Sequence, residues 1–227
     1  MSLHHFFSAP IGTYGNALVN WASQPTRELI AFASSYRNAA MNLVAYREQL
    51  GIGAIDHSAL PILFLYRHSF ELYLKAIVFK AAILSISEAE LGSALPRLWK
   101  VHSLLALVEM AKPILAASTS RPLTSSGALE QEIIELAGKI DEVDRGSYSF
   151  RYPVTSQGQA SLPTHFLTNV FVFSEEVEPV LDSVAQFCRS LDEERVQTSE
   201  QMKLALHPIL PMPPNPSFKW DAGLALK

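Results

Sequence analysis

The chain has 227 residues, 48% of them hydrophobic, which is enough for one large domain with a substantial core. Its net charge of −4, from 18 basic and 22 acidic side chains, excludes the overall basic field that drives non-specific nucleic-acid binding. Cys188 is the only cysteine, which excludes an internal disulfide and a cysteine-rich zinc site. The first ten residues lack a secretory pattern, so we expect a cytoplasmic protein.

The chain opens with a segment predicted to be irregular, residues 1–23, which has no hydrophobic period. From 26 to 50, apolar residues recur every three or four positions, and Pro25 and Gly51 bracket them. This pattern predicts an amphipathic helix.

The second predicted helix begins at Pro61 and runs to Leu84, and it is apolar on nearly every face. Helices of this kind are packed on several sides. Arg67, Glu71 and Lys75 fall in its middle, where charges strongly oppose insertion into a bilayer. We therefore expect a buried helix of a soluble protein and no membrane partner.

Four more helices follow in the prediction. Pro96 is expected to end the first of them, and Pro113 to kink or stop the second. A polar loop over 118–127 precedes the third. The four helices are predicted over 87–96, from 102 to 113, over 130–144 and over 174–194, the last with Pro179 near its start.

An ordered loop rich in aromatic residues is predicted over 145–163, with 148–153 extended because the residue before a proline avoids the helical region. The run 166–173 fits a strand or the first turns of a helix. Residues 196–227 are rich in proline, which predicts a flexible tail. We thus predict an all-α helical bundle of five to six helices over 24–195, flanked by two irregular segments.

Residues four apart on a helix lie almost in line, so Arg67, Glu71 and Lys75 form one polar ridge. On residue spacing alone, the ridge is explained by a buried ion pair between Arg67 and Glu71 that fixes how the helix docks.

The run Phe64-Leu-Tyr-Arg-His-Ser-Phe-Glu-Leu-Tyr-Leu-Lys75 resembles the second helix of bacterial HEPN-domain proteins. His102-Ser-Leu-Leu-Ala-Leu107 is similar to the entry of a following helix in that family, and Asp144-Arg-Gly-Ser-Tyr-Ser-Phe-Arg-Tyr-Pro153 to a later loop. The three segments occur in the family's order and span about residues 60 to 155.

This resemblance implies a HEPN-like bundle that forms homodimers, in a superfamily of ribonuclease toxins, phage-defence effectors and silent binding partners. In its ribonucleases an arginine holds the scissile phosphate, and a histidine four to six residues away handles a proton without a metal. Arg97 and His102 fit that spacing, although Pro96 places them where a loop enters a helix. The resemblance itself selects Arg67 and His68 as the alternative catalytic pair.

A substrate-binding site is predicted if the loop around Arg151 folds over the second helix. An arginine among Tyr148 and Tyr152 suits a phosphate and a stacked base, and Asp144 completes the set. The alternative is that Asp144 and Arg151 form a salt bridge that closes the loop.

Two functions follow from these residues. The first is metal-independent binding or cleavage of RNA, in a bacterial defence or toxin–antitoxin system. The second is a non-catalytic module that binds a nucleotide, RNA or a cognate protein partner. We expect no cofactor, because the sequence has no zinc signature, glycine-rich phosphate loop or nucleophile elbow.

Overall fold

The computed structural model describes residues 25–50, 55–85, 96–117 and 126–193, which form six helices and no strand. One isolated antiparallel bridge joins Val154 and Ala160. The helices are α1 (Pro25–Leu50), α2 (Asp56–Ser85), α3 (Pro96–Lys100), α4 (Leu104–Ala117), α5 (Ser126–Asp144) and α6 (Val170–Glu193). The predicted all-α class and bundle are confirmed, whereas the predictions for 1–23, 87–95 and 196–227 lie outside the described residues.

Helix α2 is the centre of the bundle and contacts α1, α4 and α6. It is buried on several sides, as its sequence predicts, because large apolar side chains point in all directions from it. Among its side chains with 2% exposure or less are Ile62, Leu63, Tyr66, Phe70, Tyr73, Leu74 and Ile77. Helix α5 packs on α4, and both α1 and α5 touch α6. In the described residues, no helix is long and apolar enough to cross a membrane.

Helix α1 approaches α2 closely because its buried positions hold small side chains, among them Ala33 and Ala40. The Ser69 hydroxyl of α2 donates to the Ala33 carbonyl at 2.8 Å, and this bond links the two helices. On its α6 side, α1 presents Arg37, which pairs with Glu178 and Asp182. Burial alone would lower the pKa of Arg37, but these two carboxylates outweigh it and raise the pKa.

Two helices begin where a side-chain oxygen accepts hydrogen bonds from backbone N–H groups. The Asn169 side-chain oxygen accepts from the N–H groups of Phe171 and Val172 at 3.1 and 3.2 Å, so α6 begins there and 166–173 contains no strand. Asp141 of α5 accepts from the N–H groups of Leu104 and Leu105, both at 3.0 Å. The start of α4 is therefore tied to α5.

Several predicted boundaries are wrong because prolines lie inside helices. Pro61 is within α2, which begins at Asp56; Pro113 is within α4, which continues to Ala117; and Pro179 is well inside α6. A proline removes one helix hydrogen bond, and packing on both sides of it can outweigh that loss. Pro96 is the first residue of α3, and α5 begins at Ser126, four residues before its predicted start.

Candidate functional site

The centre of the candidate site is the guanidinium of Arg67, whose side chain has 0% exposure. Its Nη1 donates to Glu71 at 2.8 Å, confirming the predicted ion pair. Its Nε donates to the Asp144 carbonyl at 3.0 Å, and its Nη2 to the His102 carbonyl at 2.6 Å. Arg67 thus joins three segments of the chain, and its burial leaves it no access to a substrate phosphate.

Glu71 lies beside Arg67 and is 3% exposed. One oxygen, Oε1, accepts from Lys75 at 2.7 Å and lies 3.0 Å from Nδ1 of His102. Burial would raise the pKa of Glu71, but hydrogen bonds and positive charge from Lys75 and Arg67 outweigh it and lower the pKa. Glu71 is therefore a carboxylate, which can only accept a hydrogen bond.

His102 donates to that carboxylate through Nδ1, because Glu71 has no proton to give. Its imidazole is consequently held in one orientation, with Nε2 left as the atom that can gain or lose a proton. The side chain of His102 is 47% exposed. A half-exposed histidine oriented by a buried carboxylate is an arrangement that can perform general acid or base catalysis.

Asp144 ends α5 and is fully buried. Its Oδ1 accepts from the N–H groups of Tyr148 and Ser149 at 2.6 and 2.8 Å. Its Oδ2 lies 3.1 Å from Nε of Arg67 without a hydrogen bond, because that N–H is directed at the Asp144 carbonyl. The predicted salt bridge between Asp144 and Arg151 is wrong: Asp144 is committed to Arg67 and to the loop backbone.

The aromatic loop is a turn, and the predicted extended conformation over 148–153 is wrong. The carbonyl of Tyr148 accepts from the N–H groups of Arg151 and Tyr152 at 3.0 and 2.9 Å. The buried Asp144 carboxylate accepts the two hydrogen bonds that hold the start of this turn, and they outweigh the local preference before Pro153.

Arg151 is exposed and lies against three aromatic rings. Its guanidinium carbon is 5.5 Å from the ring centre of Phe64, 5.7 Å from that of Tyr148 and 5.5 Å from that of Tyr152. Its Nε donates to the Ser147 carbonyl at 2.6 Å, while its terminal nitrogens bond to no described residue. Tyr148 and Tyr152 are about half exposed. The loop thus folds against α2 as the substrate-site hypothesis requires, and presents a fixed cation beside two accessible rings.

His68 is half-buried between aromatic rings, with its own ring 4.5 Å from Tyr36 and stacked at 5.5 Å on Phe64. Burial lowers the pKa of His68; the charge of Glu71 opposes this, and the charges of Arg67, Lys75 and Arg151 reinforce it. His68 is therefore neutral near pH 7 and acts as a packing side chain. Because Arg67 is buried beside it, this pair does not form an exposed catalytic dyad.

The Arg97 backbone lies in α3, and His102 lies in the connection 101–103 that leads into α4. Residue spacing did not reveal that Glu71 is the partner of His102, nor that two exposed cations flank the site, Lys100 and Arg145. Lys100 is two residues from His102, and Arg145 follows Asp144. No sequence signal relates Lys100 to Arg145, because the contacts that join His102 and Asp144 are made only in the fold.

Lys100, Arg145 and Arg151 are exposed cations in an acidic protein, and Lys100 and Arg145 lie within two residues of His102 and Asp144 along the chain. Arg67 brings the backbones at His102 and Asp144 together, because its one guanidinium donates to both carbonyls. Among the described side chains, no group of three or more His, Cys, Asp or Glu could hold a metal ion.

Comparison of the chain with protein-family models found no match, and comparisons with curated proteins and with solved structures found none either.

Proposed function

We propose that the protein is a HEPN-like ribonuclease that binds RNA and cleaves it without a metal, with His102 as the proton-transferring group. The observation that carries the proposal is the contact of His102 with buried Glu71, which leaves Nε2 of a half-exposed imidazole available. The resemblance to HEPN proteins supports a homodimer and a role in a bacterial defence or toxin–antitoxin system.

In the proposed reaction, the RNA 2′-oxygen attacks the adjacent phosphorus, and its proton passes to Nε2 of His102. The bond from phosphorus to the 5′-oxygen breaks, and that oxygen takes a proton from the imidazolium or from water. The products are a 2′,3′-cyclic phosphate and a 5′-hydroxyl. Glu71 stabilises the imidazolium that forms, because its carboxylate is 3.0 Å from Nδ1.

The loop residues supply substrate binding in this proposal. Arg151 offers its terminal nitrogens to a phosphate, and Tyr148 or Tyr152 stacks on an unpaired base. Base stacking on one aromatic side chain contributes about 1 to 3 kcal/mol to binding of single strands. Arg145 and Lys100 add positive charge that attracts the RNA backbone.

The test is RNA cleavage by the purified protein in EDTA, comparing wild type with His102→Ala and His57→Ala. His57 is exposed near the start of α2 and belongs to no part of the site, so its variant is the matched control. We expect His102→Ala to lose about 100-fold or more of the rate, and the control to keep it. Equal cleavage by wild type and His102→Ala would refute the catalytic assignment.

The burial of Arg67 favours a second candidate, a non-catalytic module. If the resemblance assigns the family's arginine to Arg67, that side chain is enclosed by Glu71, Asp144 and His102 and reaches no ligand. The exposed loop would then bind a nucleotide, RNA or a partner protein without chemistry. Three results together would favour this candidate over the first. The wild-type protein would bind RNA, Arg151→Ala would bind it less tightly, and neither protein would produce a cyclic phosphate.

A further inference from the structure

Trp99 is a large aromatic side chain at the surface of α3, three residues before His102. It is 42% exposed. Its ring contacts the ring of Phe79 in α2, with the ring centres 5.3 Å apart and the two planes at 64°. A T-shaped contact of this kind covers at most one face of either ring. Trp99 is therefore held against α2 and is still accessible to solvent.

Two contacts fix the short segment that carries Trp99. On one side of it, Leu98 is fully buried in the core. On the other side, the backbone carbonyl of His102 accepts from the buried guanidinium of Arg67 at 2.6 Å. Trp99 and Lys100 lie between these two anchors, and both are exposed. The segment thus places an aromatic ring and a cation, adjacent in the chain, at the surface beside His102.

The contacts along α2 place Trp99 relative to the other parts of the candidate site. Phe64 lies under the guanidinium of the aromatic loop, and Glu71 contacts His102. Phe79, further along the helix, contacts Trp99. Phe64 precedes Glu71 by seven positions and Phe79 follows it by eight, so each is about 10 to 12 Å from Glu71 along the helix axis. At about 100° per residue, both also lie within about 80° of Glu71 around that axis. His102 therefore lies between the aromatic loop and Trp99 along one side of α2.

An accessible indole next to an ammonium group has the chemistry that binds single-stranded nucleic acid. An unpaired base stacks on the face of an aromatic ring, and any base can do so because every base has a flat π face. A neighbouring lysine attracts the phosphate that adjoins the base. Trp99 and Lys100 supply these two groups. Bases within a duplex are already stacked on one another, so the ring selects an unpaired strand.

We propose that Trp99 is a second base-stacking subsite, which binds an unpaired base of a single-stranded nucleic acid on the opposite side of His102 from the aromatic loop. Lys100 attracts the phosphate next to that base. The inference rests on the proposed function in placing the strand across His102, and it adds the path of the strand along α2. Phe64 and Phe79 are 15 positions apart, about 22 Å along the axis of that helix. A strand that reaches both aromatic groups gains from two linked contacts, which a single nucleotide does not.

The experiment measures binding of a labelled oligodeoxythymidine to the purified full chain by fluorescence anisotropy. This probe has bases and phosphates but no 2′-hydroxyl, so the proposed reaction cannot consume it. Wild type is compared with Trp99→Leu, Trp99→Phe and Met41→Ala. Leucine keeps an apolar side chain over Phe79 without a flat ring, whereas phenylalanine keeps a ring. Met41 is the control because it is also 42% exposed but lies on α1 one turn after Arg37, which pairs with α6.

We expect Trp99→Leu to raise the dissociation constant about 10-fold, because loss of stacking on one base has an effect of that order. Trp99→Phe should stay within about 3-fold of wild type, and Met41→Ala should not differ from it. With an abasic oligonucleotide, which keeps the phosphates but offers no base, Trp99→Leu and wild type should bind alike. The subsite is overturned if wild type does not bind oligodeoxythymidine, if Trp99→Leu binds it as wild type does, or if Trp99→Phe loses as much as Trp99→Leu. An equal loss by Trp99→Leu on the abasic probe also overturns it.

A second measurement keeps Trp99 in place, and it decides the matter if circular dichroism shows that Trp99→Leu is unfolded. The chain has three tryptophans, so Trp21→Phe with Trp220→Phe leaves Trp99 as the only one. A stacked base should quench its fluorescence as oligodeoxythymidine is added, and unchanged fluorescence at saturation would overturn the proposal. RNA cleavage is scored separately. Binding that depends on Trp99 without cleavage refutes the proposed reaction alone, and cleavage with binding that does not depend on Trp99 refutes this subsite alone.

Discussion

Replacing Arg67 by alanine tests whether this residue fastens the fold or contacts a substrate. The substitution would leave the Glu71 carboxylate paired with Lys75 and hydrogen-bonded to His102, and it would remove the charge next to the buried Asp144. Breaking a buried ion pair by deleting one partner costs about 3 to 5 kcal/mol. The carbonyls of His102 and Asp144 lose a donor as well, so we expect a loss at the upper end of that range.

The magnitude is large compared with the stability of the domain. Single domains unfold with free energies of about 5 to 15 kcal/mol, and urea slopes for small proteins are about 1 to 3 kcal/mol per molar. A loss of about 5 kcal/mol at a slope of about 2 kcal/mol per molar lowers the urea midpoint by about 2.5 M. An arginine that only binds substrate would leave the midpoint unchanged.

The measurement is urea denaturation followed by circular dichroism, with Arg189→Ala as the control. Arg189 is an exposed arginine on α6, so its removal changes the same charge without opening the core. A free energy of unfolding for Arg67→Ala within about 1 kcal/mol of wild type would contradict the buried ion-pair account. Equal losses in both variants would also contradict it.

Two further predictions concern stability. Burial lowers the pKa of His68 in the folded protein below 6.5. As pH decreases, the unfolded chain therefore binds a proton at His68 before the folded chain does. The free energy of unfolding should fall as pH decreases from about 6.5, and level off below the lowered pKa. His68→Gln should remove that slope from urea midpoints measured between pH 5 and 8, and an unaltered slope would contradict the assignment. Asp141→Ala should lower the free energy of unfolding by about 1 to 2 kcal/mol, since the N–H groups of Leu104 and Leu105 lose their acceptor. Unchanged urea denaturation of that variant would show that the contact does not stabilise α4.

The sequence predicts the bundle well where apolar residues repeat over long segments. The apolar period of α1 and the apolar residues on all faces of α2 predict these two helices and the burial of α2. The ion pair between Arg67 and Glu71 is also predictable, because residues four apart on a helix are neighbours. Boundaries were less predictable because a proline signal is local, whereas the packing that keeps Pro61 and Pro179 inside helices is tertiary.

The candidate site depends on contacts between distant residues. Glu71 and His102 are 31 positions apart, and no spacing rule relates them. The spacing of Arg97 from His102 matches a family pattern, but spacing does not determine which side chains a fold brings together. The aromatic loop was located correctly from composition, yet its turn depends on the buried Asp144, whose partners only the fold determines.

The position of Arg67 gives its substitution an indirect effect on both parts of the candidate site. This one guanidinium holds the carbonyl beside the candidate catalytic histidine and the carbonyl at the start of the candidate binding loop. Removing it would displace both His102 and the loop that carries Arg151, and activity would fall although Arg67 never touches the RNA. Loss of cleavage in Arg67→Ala is therefore not evidence of catalysis by Arg67. His102→Ala separates the two effects, because the Arg67 bond is to the backbone carbonyl of residue 102, which alanine retains.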